Sequence, residues 1–198
     1  MKIEIRKLTP ELAVDYFDFF ENRAFTDNSP FRCYCQVFQL SKAEYRAAYD
    51  GLAGADVGRV SRECAARQIA TGVLRGYLAY VDGLSIGWCN TNDRANYPAE
   101  PYYDDVPFHA PAEKREKAVI CFEIAPDYRM KGVASALLRQ VIADAKAEGY
   151  VAVVGFPVIR DERYEWDNRG PMRLYEKAGF INVAEQAGRV VMRKELAE

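Results

Sequence analysis

Ala118-Val119-Ile120-Cys121-Phe122-Glu123-Ile124-Ala125-Pro126-Asp127-Tyr128-Arg129-Met130-Lys131-Gly132-Val133-Ala134-Ser135 is the stretch on which the reading of the fold turns. Its first eight residues form a nearly continuous apolar run closed by a proline, the pattern of a central strand. A largely polar segment with one glycine follows. Val133, Leu137, Leu138, Val141, Ile142 and Ala145 then recur at helical spacing, which predicts a helix over 132–148 ended by Gly149. A strand, a tight turn and a helix start in this order make an anion site. The first-turn N–H groups of a helix lack internal acceptors, and the helix dipole adds positive potential there. Gly132 and Ala134 are small enough to let a diphosphate approach the backbone, and Arg129 and Lys131 add charge. The Gly-x-x-x-x-Gly-Lys spacing of a nucleotide phosphate loop is absent, and so is the dinucleotide fingerprint Gly-x-Gly-x-x-Gly.

On the N-terminal side of this stretch, residues 3–7 read as a strand. Thr9 and Pro10 open a helix that continues through Leu12, Tyr16, Phe19 and Phe20. Residues 26–36 read as a loop. Ser41-Lys42-Ala43-Glu44 has the form of a capping box, and a longer helical stretch covers about 57–74. Asp82-Gly83, between β-prone runs at 77–81 and 85–90, predicts a hairpin. Residues 91–116 are rich in Pro, Asn, Asp and Tyr and read as a long irregular segment of the kind that often carries function. On the C-terminal side, 150–154 is an apolar strand, 171–178 a short helix closed by Gly179, and 180–184 and 189–194 two last strands. Helices and strands mix along the whole chain, so residues 1–198 are expected to form a single layered α/β domain.

The composition is that of a globular protein: hydrophobic residues make up 49% of the 198 and charged residues 28%. A net charge of -2 gives no basic excess to draw the chain to nucleic acid or an acidic membrane. The first residues alternate polar and apolar, and no apolar run approaches the roughly 20 residues of a membrane helix, so a cytoplasmic protein is the expectation. The five cysteines, Cys33, Cys35, Cys64, Cys89 and Cys121, have no regular spacing, which argues against a disulfide framework. With His109 the only histidine, Cys33 and Cys35 lack the companions a zinc site needs, so no metal is expected.

Two segments resemble one known family. Ile124-Ala125-Pro126-Asp127-Tyr128-Arg129-Met130-Lys131-Gly132-Val133-Ala134 is similar to the acetyl-CoA motif of the GNAT-type N-acetyltransferases, [Arg/Gln]-x-x-Gly-x-[Gly/Ala] led by an apolar strand. Asn168-Arg169-Gly170-Pro171-Met172-Arg173-Leu174-Tyr175-Glu176-Lys177-Ala178-Gly179-Phe180 resembles that family's second element, Asn-x-x-Ala-x-x-Leu-Tyr-x-Lys-x-Gly-Phe, with Pro171 in place of the usual small residue. The elements stand in the expected order, and the match covers about 118–184.

The resemblance implies a mixed, largely antiparallel sheet with helices on both faces, and acetyl-CoA in a cleft between strands 118–125 and 150–154. It implies transfer of the acetyl group to an amine, directly within a ternary complex. The turn Arg129, Met130, Lys131, Gly132, Val133, Ala134 and Ser135 would hold the diphosphate, and the strand end at Glu123, Ile124 and Ala125 the pantetheine arm. Asn168 would contact the arm or cap the following helix. Tyr175 is the candidate general acid for the departing thiolate; packing is its alternative. Glu123, the one charged residue in its apolar run, is the candidate base, directly or through a water, or else a structural partner of an arginine. A covalent role for Cys33, Cys35 or Cys89 is disfavoured, because no histidine lies near them in sequence. Segments 26–40, 91–116 and 159–169 are expected to build the acceptor side, with Trp88, Tyr97, Tyr102 and Tyr103 as pocket candidates; packing is the alternative for these aromatics. Asp93, Glu100, Asp104 and Asp105 against Arg94 read either as a solvated acidic loop or as a preference for a cationic or amine-bearing acceptor. The rival reading is a non-catalytic acyl-CoA-binding or regulatory domain of the same fold. The acceptor's identity stays open between small amines and peptides, and a homodimer is a possibility the family raises.

Overall fold

A computed structural model describes residues 1–29, 32–102, 108–160, 162, 164, 167–186 and 188–196. Seven strands form one sheet: β1 (Glu4–Lys7), β2 (Gly76–Val81), β3 (Leu84–Asp93), β4 (Glu116–Ile124), β5 (Ala152–Gly155), β6 (Ile181–Gln186) and β7 (Arg189–Glu195). Their order is β1-β2-β3-β4-β5-β7-β6. Only β4 and β5 run parallel; every other neighbouring pair is antiparallel. The helices are α1 (Ala13–Asn22), α2 (Lys42–Tyr49), α3 (Ala55–Ala70), α4 (Val133–Ala147) and α5 (Met172–Lys177). The expected mixed sheet with helices on both faces is the architecture found.

Each face has its own core. On one side α1 buries Tyr16, Phe17, Phe19 and Phe20 against Trp88, Ile120 and Cys121 of the sheet, with the Tyr16 and Trp88 rings edge-to-face at 5.0 Å. On the other side α4 buries Val133, Leu137, Leu138, Val141 and Ala145 against Tyr77, Val119, Phe122 and Val153. The five α4 residues recur three and four apart, so one stripe of the helix meets the sheet.

Several local readings of the sequence are met. Asp82 and Gly83 turn the β2–β3 hairpin, both at positive φ, 51° and 79°. Ser41 and Glu44 close a capping box, with the Glu44 N–H donating to Ser41 Oγ at 3.2 Å. Thr9 departs from expectation: it precedes a short 3-10 turn at Pro10–Leu12, and its side chain caps nothing. The segment 91–116 is also more ordered than its composition suggests, since β3 runs on to Asp93 and β4 starts at Glu116. Its residues 103–107, including Tyr103, Asp104 and Asp105, lie outside the described residues. No described helix is long and apolar enough to cross a membrane.

Candidate active site

The site begins with a defect in the sheet. β4 pairs with β5 over Glu116–Val119 against Ala152–Gly155 and no further. At that limit the β3–β4 register slips, from Asn90 opposite Cys121 to Thr91 opposite Val119. The extra residue, Ile120, is a β-bulge, and a bulge bends its strand. Beyond it β4 leaves β5 and a gap opens between them.

The gap is held by one segment, 168–170. The Phe122 N–H donates to the Asn168 carbonyl at 2.6 Å. The Arg169 guanidinium donates to the Ile120 carbonyl at 2.6 Å and lies 4.7 Å and 5.0 Å from the Phe38 and Phe108 rings. Antiparallel pairing then fixes what remains open. Ala125 donates to the Ile86 carbonyl on β3, so alternation turns the N–H and C=O of Phe122 and Ile124 away from β3 toward the gap. The Ile124 carbonyl accepts from Arg129 Nε at 3.1 Å. The Phe122 carbonyl and the Ile124 N–H have no backbone partner among the described residues, and the Ile124 N–H lies beside the Glu123 carboxylate. A chain of amides laid in the gap would pair with them as an added strand does.

At the end of β4 a 3-10 turn, Pro126–Tyr128, leads into the loop before α4. Met130 and Gly132 take left-handed conformations, φ 59° and 85°. Gly132 occupies the N-cap position of α4, and no side chain caps the helix. A Cβ built at Gly132 would meet nothing within 4 Å, so the backbone here stands open. Uncapped first-turn N–H groups, alternating left-handed residues and clear space above them fit an anion such as a diphosphate.

Gap and turn share one cavity of about 860 Å³. Of the residues expected to hold the cofactor, Ile124, Arg129, Met130, Ala134 and Asn168 border it; Lys131, Gly132, Val133 and Ser135 continue the same turn and helix start. Ala125 instead is buried in the core. Arg129 does not reach toward the turn. Its guanidinium pairs with Asp27 at 2.5 Å and lies 3.7 Å from Glu123.

Glu123 borders the cavity with a side chain only 14% exposed. Burial raises its pKa to about 8, against the opposing pull of Arg129. Its neighbours in strand order, Cys121 and Ala125, belong to the α1-side core, so alternation places Glu123 on that face. Tyr175 is wholly buried. Its hydroxyl donates to the Arg169 carbonyl at 2.8 Å, and its ring packs on Gly155, where a Cβ would come within 2.1 Å of Cε1. Tyr175 therefore stands one layer behind the cavity wall, against the segment that holds the gap.

Of the three segments expected on the acceptor side, two border the cavity. Residues between Ser29 and Phe38 and between Val158 and Tyr164 border the cavity; among the described residues of 91–116, none does. Trp88 and Tyr97 are core residues, and Tyr102 stacks on Tyr45. Asp93 caps the short turn after β3 by accepting from the Ala95 N–H at 2.9 Å, so its carboxylate serves the backbone. Arg169 lies in a stretch without periodicity, and only its buried guanidinium flanked by Phe38 and Phe108 reveals its part in the site.

A strand bent away from its parallel neighbour, followed by an uncapped helix start, is the feature around which the cavity is built. The Acetyltransferase (GNAT) family model matches residues 37–180, most of the chain. The chain belongs to the GNAT acetyltransferase family and is an acyltransferase. Solved structures agree on the fold. An N-acetyltransferase from Staphylococcus aureus Mu50 superposes with a TM-score of 0.58 at 14% identity, covering 100% of both chains. The paiA N-acetyltransferase of Thermoplasma acidophilum, in complex with coenzyme A, gives 0.54 at 16% identity over 98% of this chain and 99% of that one. The yncA protein of Salmonella typhimurium, solved with acetyl-CoA, gives 0.55 at 14% identity over 99% and 95%. No curated protein matches the sequence.

Proposed function

We propose that the chain, as one domain over residues 1–198, transfers the acetyl group of acetyl-CoA to the primary amine of a small molecule or peptide, by direct attack within a ternary complex. The observation that carries this reading is the gap beside β4, where the Phe122 carbonyl and Ile124 N–H face a cavity shared with the α4 turn. Acetyl-CoA supplies an acyl carbon activated as a thioester. The turn from Met130 to Ser135 would hold its diphosphate, and the edge of β4, with Asn168 opposite, its pantetheine arm.

Glu123 is the base in this reading. Only a neutral amine attacks, and a carboxylate with a pKa of about 8 suits taking a proton from an ammonium near neutral pH. Arg129, fixed by Asp27 and the Ile124 carbonyl, sits 3.7 Å from Glu123 and steadies its ionised form. Tyr175 is the candidate acid for the departing thiolate. Its hydroxyl donates to the Arg169 carbonyl, so this role requires that bond to be exchanged for one to the thiolate. Cys33 and Cys89 have no part in the transfer: desolvation pushes both thiols up, away from the reactive thiolate.

The experiment is thiol release from acetyl-CoA across a panel of amines, beside thermal melts with acetyl-CoA, ATP and NAD. Acetyl-CoA at about 100 times its Kd stabilises a native-state binder by roughly 2.7 kcal/mol. A melt shifted by ATP or NAD and unmoved by acetyl-CoA ends the proposal.

A further inference from the structure

The sheet face that α1 covers carries a square of hydrogen-bonding side chains. In the β3–β4 register Trp88 stands opposite Glu123, and Asn90 opposite Cys121. Trp88 and Cys121 belong to the α1-side core, and alternation puts Asn90 and Glu123 on the same face. One thiol lies over this square. The Asn90 amide donates to the Cys35 carbonyl at 2.8 Å and to the Cys35 sulfur at 3.4 Å. Directly opposed residues stand about 5 Å apart at Cβ, so the Cys121 thiol is within reach of the sulfur that Asn90 touches. It donates a hydrogen bond to that sulfur. The wholly buried Trp88 Nε1–H lies against the same sulfur and has no other acceptor among the described residues.

The Cys35 backbone is held to this place. Its φ of 52° is left-handed, a conformation uncommon outside glycine, and the Asn90 amide pins its carbonyl. The two thiols then differ in acidity. Burial raises the Cys35 pKa, but hydrogen bonds from Cys121, Asn90 and Trp88 and the charge of Arg169 outweigh it and bring the thiol below its ordinary value. The hydrogen bond that Cys121 gives to Cys35, together with burial, keeps the proton on Cys121. Cys33 also borders the cavity and is the more exposed residue, yet desolvation pushes its thiol up.

We propose that Cys35 is a nucleophilic thiol on the cavity wall that reacts with low-molecular-mass disulfides, and that Cys121 resolves the product into a Cys35–Cys121 disulfide. Cys35 borders the cavity, whose volume of about 860 Å³ admits a small disulfide. The Cys35 thiolate attacks one sulfur of R–S–S–R, forms Cys35–S–S–R and expels RS⁻. That RS⁻ takes the Cys121 proton and leaves as RSH. The Cys121 thiolate attacks the Cys35 sulfur and expels the second RS⁻. The two cysteines give up two electrons and the reagent takes them. The new bond ties the loop after α1 to β4, two residues from Glu123. This chemistry is independent of the acetyl-transfer reading.

The test exposes the native protein to dithiodipyridine or glutathione disulfide, quenches with acid and maps the cysteines by non-reducing proteolysis and mass spectrometry. Cys35 is expected to react about tenfold or more faster than the more exposed Cys33. The main product is expected to be the Cys35–Cys121 bridge, opened again by dithiothreitol. Cys121→Ser is expected to stop at the mixed disulfide on Cys35, and Cys35→Ser to leave Cys121 unmodified. Cys33 reacting first, a Cys33–Cys35 bridge, or thiols that stay unmodified until the protein melts overturns the assignment. A lasting mixed disulfide on wild-type Cys35 removes the resolving role of Cys121. The order of reaction in the wild-type protein decides the matter where a variant fails to fold.

Discussion

Replacing Glu123 by Gln separates what the carboxylate does for the reaction from what it does to the fold, and the two effects have opposite sign. With a pKa raised from 4.5 to about 8, the side chain is about one-tenth ionised at pH 7, half at pH 8 and nine-tenths at pH 9. An acceptor whose amine is already neutral at pH 7 removes the substrate's own titration. With it, wild-type kcat/KM should rise about tenfold from pH 7 to 9 through Glu123 alone. Glu123→Gln should lower the rate by about 100-fold or more at pH 9 and flatten the profile. For stability, the folded state favours the protonated carboxyl. It therefore binds more protons than the unfolded chain between about pH 4.5 and 8, and stability falls as pH rises through that window. The full shift corresponds to about 5 kcal/mol, and water entering the cleft reduces it to roughly 1–3 kcal/mol. Glutamine stays neutral and escapes that loss. Melts should show Glu123→Gln level with wild type at pH 4 and more stable at pH 9, by roughly 2–10 °C for a chain of this size. An unchanged rise of kcat/KM with pH in the variant refutes the base. A melting difference that does not depend on pH refutes the raised pKa.

Other substitutions probe the same architecture. Gly132→Asp puts a side chain and a negative charge at the left-handed, open N-cap of α4 and should weaken acetyl-CoA binding at least tenfold, for about 1–2 kcal/mol of stability; calorimetric titration beside a melt reads both. Tyr175→Phe leaves the buried Arg169 carbonyl without its donor, at about 1–2 kcal/mol, and should lower kcat at least tenfold with the acetyl-CoA KM unchanged; a wild-type kcat leaves Tyr175 as packing. Gly155→Ala forces a Cβ to within 2.1 Å of the Tyr175 ring and should cost about 1–3 kcal/mol or prevent folding, as urea unfolding would show. Arg94→Ala removes one of the two guanidinium partners of a Glu116 side chain that is 7% exposed, Arg193 remaining at 3.2 Å, and should cost about 1–3 kcal/mol by the same measurement.

Local signals in the sequence carried far. The β4–turn–α4 unit, the capping box at Ser41 and the hairpin at Asp82-Gly83 all rest on residues close together in the chain, so composition and period suffice to place them. The start of β4 was hidden because Glu116 and Lys117 are charged and yet buried. Their neutralising partners are remote in sequence: Arg94 and Arg193 for the first, Glu148 at 2.6 Å for the second. No window of neighbouring residues contains that information. The same holds for Arg129, whose place in the family motif suggests a phosphate while its side chain is held by Asp27, far back in the loop after α1.

The gap itself is the least legible feature and the most consequential. A bulge at Ile120 frees β4 from β5, and a bent strand exposes unpaired amides, which is costly unless something meets them. One group of donors and acceptors comes from the chain: the Asn168 carbonyl takes the Phe122 N–H, and the Arg169 guanidinium takes the Ile120 carbonyl. The next groups along β4 face the cavity instead. Segment 168–170 thus fills the gap from its closed end and stops where a ligand would begin. Arg169 also ties that boundary to Tyr175 through its carbonyl and to Phe38 on the cavity wall through its guanidinium. Any shift of 168–170 on binding would therefore be felt at the candidate acid and at the cavity wall together, which makes this short segment, more than either motif alone, the part of the fold that joins the two halves of the site.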